Sequence, residues 1–144
     1  NGGSMLLHPV VHLHLFNSCG ELYLQKRPAW KDIQPGRWDT AVGGHVDWGE
    51  EPLAALRREV REEVGVTDFE PQHVLTYLFE SERERELVYV YKTVYDGPVV
   101  PSGELDGGRF WTLREIAEGV GGGIFTPNFE GEIRRVAELP DVGR

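Results

Sequence analysis

Val10 to Phe16 alternates, with Val11, Leu13 and Leu15 on one face and His12 and His14 on the other. A period of two predicts a strand, its histidines on the polar side. Asn17-Ser18-Cys19-Gly20 reads as a turn, and Leu22 to Gln25 resumes as a strand, so a hairpin is expected. Lys26 to Arg37 contains Pro28, Pro35, Gly36 and several charges, and reads as a loop. Trp38 to Val42 predicts a short strand, running into a Gly43-Gly44 loop. From Pro52 to Val64 the period lengthens, and Leu53, Leu56, Val60 and Val64 fall on one helical stripe. Glu50 and Glu51 precede or enter its first turn, where the helix dipole favours acids, and Gly65 supplies the stop. Val74 to Phe79 and Leu87 to Tyr95 are aromatic and β-branched, which predicts two more strands. Asp96-Gly97-Pro98 is a turn, Arg109 to Thr112 a last strand, and Leu113 to Glu118 and Phe129 to Leu139 helices. One helix set among mostly hairpin-linked strands predicts an α+β fold, an α/β/α sandwich around a mixed sheet.

Composition narrows the function. The chain has 144 residues, which suits a single domain, with residues 8–140 its core and Asn1 to Ser4 a tail. No apolar run approaches the ~18 residues of a spanning helix, so no membrane role is expected. The lone cysteine, Cys19, allows no intrachain disulfide, which fits a cytoplasmic setting. Fifteen basic against twenty-four acidic residues leave a net charge of −9, which argues against a nucleic-acid polymer as partner. An acidic protein can still handle a phosphate compound when metal ions bridge the like charges. A homodimer is compatible with all of this.

The candidate chemistry lies on the first helix. At ~100° per residue, Glu59 and Glu63 lie ~40° apart and Glu62 ~60° from Glu59. Arg57, Arg58 and Arg61 interleave, so one reading is a solvated, salt-bridged face. The other is a site for a hard cation, Mg²⁺ or Mn²⁺, held by oxygen ligands that leave room for substrate phosphates. Gly43-Gly44 favours the second, because glycine permits close backbone approach.

Gly44, Glu50 and the run Arg58-Glu59-Val60-Arg61-Glu62-Glu63-Val64-Gly65-Val66 together resemble the Nudix box, with every fixed position of that pattern present. The resemblance implies a hydrolase that cleaves a diphosphate linkage in a nucleoside diphosphate derivative or related small diphosphate, with Mg²⁺ or Mn²⁺ as cofactor. It implies Glu59, Glu62 and Glu63 as metal ligands or base for water, helped by the Gly43 carbonyl, with Arg58 and Glu50 as a supporting pair. Glu104 matches the position of a further acid in some members, and an exposed loop acid is its alternative reading.

A narrower resemblance, to type I isopentenyl-diphosphate isomerases and isomerase-like Nudix hydrolases, runs from His8 to Glu50. It rests on His8, Phe16-Asn17, Gly20-Glu21-Leu22, Gln25-Lys26-Arg27, Lys31, Pro35-Gly36-Arg37-Trp38 and Gly44-His45. It implies Lys26 and Arg27 as a phosphate grip and His8, His45, Glu84 and Glu86 as a second metal set. Glu84 and Glu86, two residues apart, would share a strand face. The isomerase cysteine falls at Gly43, which favours hydrolysis over isomerisation. A non-catalytic nucleotide-sensing domain is the third reading. Trp48, Trp38, Phe110 and Trp111 are aromatics able to stack on a base, and core or rim packing is their alternative. Gly121-Gly122-Gly123 lacks a following Lys-Ser/Thr and reads as a loop.

Overall fold

The computed structural model describes residues 6–27, 36–102 and 107–143. Their strands are β1 (Leu7–Phe16), β2 (Leu22–Lys26), β3 (Trp38–Thr40), β4 (Val42–His45), β5 (Gln72–Glu80), β6 (Arg85–Val94) and β7 (Gly108–Trp111). Helices α1 (Pro52–Val64), α2 (Leu113–Gly119) and α3 (Pro127–Val136) complete the described elements. The strands join in one sheet in the order β3-β2-β1-β6-β5, with β4 also pairing β1 and β7 also pairing β2.

The sheet is mixed because β1 runs parallel to β6 along its whole length, whereas the other pairs are antiparallel. The other edge of β1 is divided between two partners. Val10 to Leu13 pair with β4, and Leu15 and Phe16 pair with β2. Trp38 to Val42 is therefore two strands, because the chain leaves β2 at Thr40 and joins β1 at Val42. Gly43 and Gly44 lie inside β4, correcting the expected loop. The connection to α1 is Val46 to Glu51.

Helix α1 covers one face, packing on Val11, Leu13, Leu15 and Val42. Helices α2 and α3 cover the other, with Ile116, Phe129 and Ile133 against Leu22, Leu24 and Trp111. Because β1 is covered on both faces, His14 is fully buried, which corrects the expected polar face. The stripe of α1 also shifts. Ala55, Leu56, Val60 and Val64 are buried, while Leu53 is 43 % exposed. Pro52 begins the helix, Glu51 caps it without a side-chain bond, and its first turn holds no acid. Gly65 ends it in the left-handed region, φ 70°, its N–H bonded to the Arg61 carbonyl. Trp38, Trp111 and Phe125 pack edge to face inside the α2–α3 layer, and Phe110 packs on Tyr23, so these aromatics are occupied by packing.

This placement separates two leucines of one helix. Leu56→Ala should cost about 2–5 kcal/mol, the range for deleting a buried side chain and leaving a cavity. Leu53→Ala should stay within about 0.5 kcal/mol, as exposed positions do. Urea midpoints of the two variants check this, and equal losses would refute the assigned helix face.

Candidate active site

The site begins where α1 crosses β4. Alternation along β4 turns Gly44 toward α1 and Gly43 toward the opposite face. A Cβ at Gly44 would stand 2.2 Å from the Glu59 carboxyl carbon, so only glycine lets that carboxylate lie against the strand. Glu63, one turn on, is half-buried beside it. It shares a hydrogen bond with Glu59 and accepts others from the Gly43 N–H and the Gln25 amide. Burial, first, and the adjacent Glu59, second, push the Glu63 carboxyl up to about 8. In an extended strand a residue's N–H and C=O point to the same edge, so the Gly43 carbonyl lies on the Glu63 side as well.

Arg58 braces the pair. Its Nε and Nη2 each donate to Glu50 at 3.0 Å, a bidentate grip. Nη2 also donates to the His45 carbonyl at 3.0 Å, and Nη1 to Glu59 at 3.1 Å and Glu62 at 3.4 Å. The hydrogen bonds from Arg58, with that of the Asp47 N–H, hold the Glu50 carboxyl down at about 2. Glu62 is turned outward, its side chain 53 % exposed. Among the described residues no three acidic, histidine or cysteine side chains converge as a metal would gather them. The structure thus joins Glu59 with Glu63, and Glu50 with Arg58, and leaves Glu62 at the rim.

Of the remaining candidates, Arg27, His45, Glu84 and Glu86 line one cavity, and Lys26 and Trp48 do not. Lys26 ends β2 half-buried, and Arg27 pairs with Asp39 at 3.7 Å. Trp48 is fully exposed in the β4–α1 loop and touches no core cluster. The His8 and His45 rings are 6.3 Å apart, edge to face. Glu84 precedes β6 instead of sharing a strand face with Glu86, although the two are hydrogen-bonded. Burial, followed by Glu84, raises the Glu86 carboxyl. Glu104, Lys31 and Pro35 lie outside the described residues. A cavity of about 760 Å³ opens on the face of Gly43, bordered by His12, Arg27, Asp39, His45, Glu84 and Glu86 among others.

Two features escaped sequence reasoning. Gln25 also donates to the Thr40 and Ala41 carbonyls, at 3.1 and 3.3 Å, tying the strand crossing to Glu63. On the other face Glu132 of α3 meets His12 Nδ1 at 2.7 Å, His14 Nε2 at 2.9 Å and the Tyr77 hydroxyl at 2.5 Å. The only signal of the second was a glutamate amid the apolar residues of the last helix, between Phe129 and Ile133.

A model of the NUDIX domain matches residues 6–129. The chain belongs to the Nudix family. An uncharacterised Nudix hydrolase of Pseudomonas aeruginosa is 36 % identical over 97 residues, 67 % of this chain and 57 % of that protein. An isopentenyl-diphosphate Delta-isomerase of Serratia proteamaculans is 31 % identical over 118 residues, 78 % of this chain and 64 % of the relative. The chain thus spans under two thirds of the length of these relatives. A crystal structure of a Deinococcus radiodurans protein shares the fold with a TM-score of 0.76 at 27 % identity, covering 89 % of this chain and 82 % of that one. The MutT protein of Methanosarcina mazei gives 0.77 at 24 %, covering 92 % and 94 %, a likeness of fold.

The Nudix carboxylates fit a hard dication. The donors are oxygens, and Glu59 and Glu63 sit as a half-buried like-charge pair that one ion would relieve. Without metal, Glu63 keeps its proton in the folded state from the ordinary carboxyl value of 4.5 up to about 8, where the unfolded chain has lost it. The folded state then binds more protons, so its stability falls as pH rises through that window. Melting temperatures of chelator-treated protein should fall more steeply between pH 5 and pH 8 for wild type than for Glu63→Gln. Identical slopes would show that Glu63 is an ordinary carboxylate.

Proposed function

We propose that the chain is a Mg²⁺- or Mn²⁺-dependent pyrophosphohydrolase that cleaves a diphosphate linkage in a nucleoside diphosphate derivative or a related small diphosphate. The observation that carries this is the half-buried Glu59–Glu63 pair against Gly44, with Arg58 locked to Glu50 behind it. Glu59 and Glu63 would hold the ion, with Glu62 and the Gly43 carbonyl at hand. A bound dication supplies charge neutralisation of the diphosphate and acidifies a water. The chain's own part is to keep the carboxylates aimed. Glu50 and Arg58 orient Glu59, and the Gln25 and Gly43 N–H groups hold Glu63. Lys26, at the end of β2, and Arg27, which pairs with Asp39, would grip the phosphates.

The isomerase reading has named relatives in its favour. Against it, position 43 is glycine, and the chain's one cysteine, Cys19, is exposed in the β1–β2 turn. Among the described residues no helix is long and apolar enough to cross a membrane, and a small-molecule substrate is the partner proposed. We read residues 1–144 as one such domain.

Phosphate release from nucleoside diphosphates, nucleotide sugars, dinucleoside polyphosphates and isoprenoid diphosphates, with and without Mg²⁺, tests the reading. Release that requires the metal is expected. Glu59→Gln should lower kcat by roughly 10²–10⁴-fold, and Glu50→Gln by about 10–100-fold. Conversion of isopentenyl to dimethylallyl diphosphate with no phosphate released from any substrate would replace hydrolysis with isomerisation.

A further inference from the structure

The Glu132 cluster lies outside the Nudix carboxylates and has no evident task in holding them. Glu132 is 2 % exposed and His14 is fully buried. An ionised carboxylate only accepts, so His12 Nδ1–H, His14 Nε2–H and the Tyr77 hydroxyl all donate to it. Burial works against the charges, but the hydrogen bonds from His12 and His14 outweigh it and hold Glu132 ionised, well below the usual carboxyl range. Three donors on one carboxylate fix the ring of His12 in plane and in tautomer. Core packing alone does not call for this arrangement, because leucines fill such positions without the cost of desolvating a charge.

The ring so fixed is the member of the cluster that borders the large cavity. Its Nδ1 is taken by Glu132, which leaves Nε2 for the open side. His12 pairs across the strands with Gly43, and a Cβ there would stand 3.4 Å from His12 Cδ2 and 3.7 Å from Nε2. The missing side chain at Gly43 therefore bares this edge of the ring. Gly44, the next residue, faces Glu59 on the other side of the strand. Consecutive Cα atoms are about 3.8 Å apart. A diphosphate held at Glu59 and Glu63 across the β4 edge would bring its attached group toward Gly43 and His12. The walls there combine polar side chains, among them Arg27, Asp39, His45, Glu84 and Asn128, with Phe79 and Pro127.

We propose that His12 Nε2 contacts the polar group attached to the diphosphate, and that Glu132 is the positioning residue that presents it. This rests on the pyrophosphohydrolase reading above. The step is recognition, with no covalent change at His12.

Side-chain ¹H–¹⁵N NMR of the full chain tests it, with Mg²⁺ and two probes: inorganic pyrophosphate and the α,β-methylene analogue of ADP. Before any probe, the His12 Nδ1–H signal should lie far downfield in wild type and move upfield in Glu132→Gln. Both probes should move the backbone signals of Gly43 and Gly44. The nucleoside probe, which carries an attached group, should in addition shift His12 Nε2. Movement at Gly44 with His12 unmoved by the nucleoside probe overturns this proposal and leaves the hydrolase reading standing. No movement at either place removes both. On the substrate found by phosphate release, His12→Gln and Glu132→Gln should each raise KM roughly tenfold, the loss of one hydrogen bond of about 1.4 kcal/mol, with kcat changed much less. Should Glu132→Gln fail to fold, His12→Gln at the cavity rim carries the kinetic test alone, and an unchanged KM there refutes the contact.

Discussion

A side chain at position 44 would overlap the Glu59 carboxylate where it lies against β4, and the geometry of the site follows from its absence. With a methyl group there, the Glu59 carboxylate would be displaced by the overlap that its present position implies. Because the place is empty, the Glu59 carboxylate lies against the strand beside Glu63, to which Gly43 donates. The same closeness brings Arg58 to the His45 carbonyl and to Glu50, across the β4–α1 connection. The loop from Val46 to Glu51 is thereby stapled at its far end by a bidentate ion pair, and Asp47 and Glu50 close it with two further hydrogen bonds.

Strand β1 imposes the second constraint. It is paired on both edges and covered on both faces, so from Val10 on most of its side chains are withdrawn from water, with His12 at a cavity rim. The apolar set, Val11, Leu13 and Leu15, meets α1. The other set contains two histidines, and burying imidazoles without partners would leave desolvated polar groups. Helix α3 answers with Glu132, and β5 with Tyr77. A carboxylate in a core is tolerable only when its lone pairs are filled, and here they are filled from two strands of the sheet.

Periodicity carried most of the architecture. The α1 span was legible because Pro52 and Gly65 bracket it, the β1–β2 hairpin because Asn17 to Gly20 separates two apolar runs, and β5 and β6 because their residues are aromatic and β-branched. What was missed has a common cause. The break of Trp38–Val42 into two strands depends on β1 offering one edge to two partners, which is a long-range fact without a local signal. Leu53 lies at the right interval for the stripe, but it is in the first turn, beyond the sheet that Leu56 and Val60 meet, so Ala55 takes the buried place. His12 and His14 looked like a solvent face because alternation reports which residues share a side, and says nothing of what covers it. Of the candidate site, Gly44, Glu59 and Glu63 were legible through their spacing. Gln25 was quoted only as part of a motif, and its hold on Glu63 needed the strand crossing to be seen.

The charge distribution explains how an acidic chain can accommodate an anionic group. Its net charge of −9 is a sum over groups that do not act together. Glu50 and Glu62 are engaged by Arg58, and Glu132 by its three donors. The Glu59–Glu63 pair is partly discharged by a shared proton, since burial makes two adjacent negative charges costly. That proton marks the place where positive charge is most wanted. A divalent ion bound there would displace it, satisfy both carboxylates and still carry charge toward a phosphate. The repulsion between two glutamates would then favour a metal-bridged anion over a free one, as the proposed diphosphate site requires.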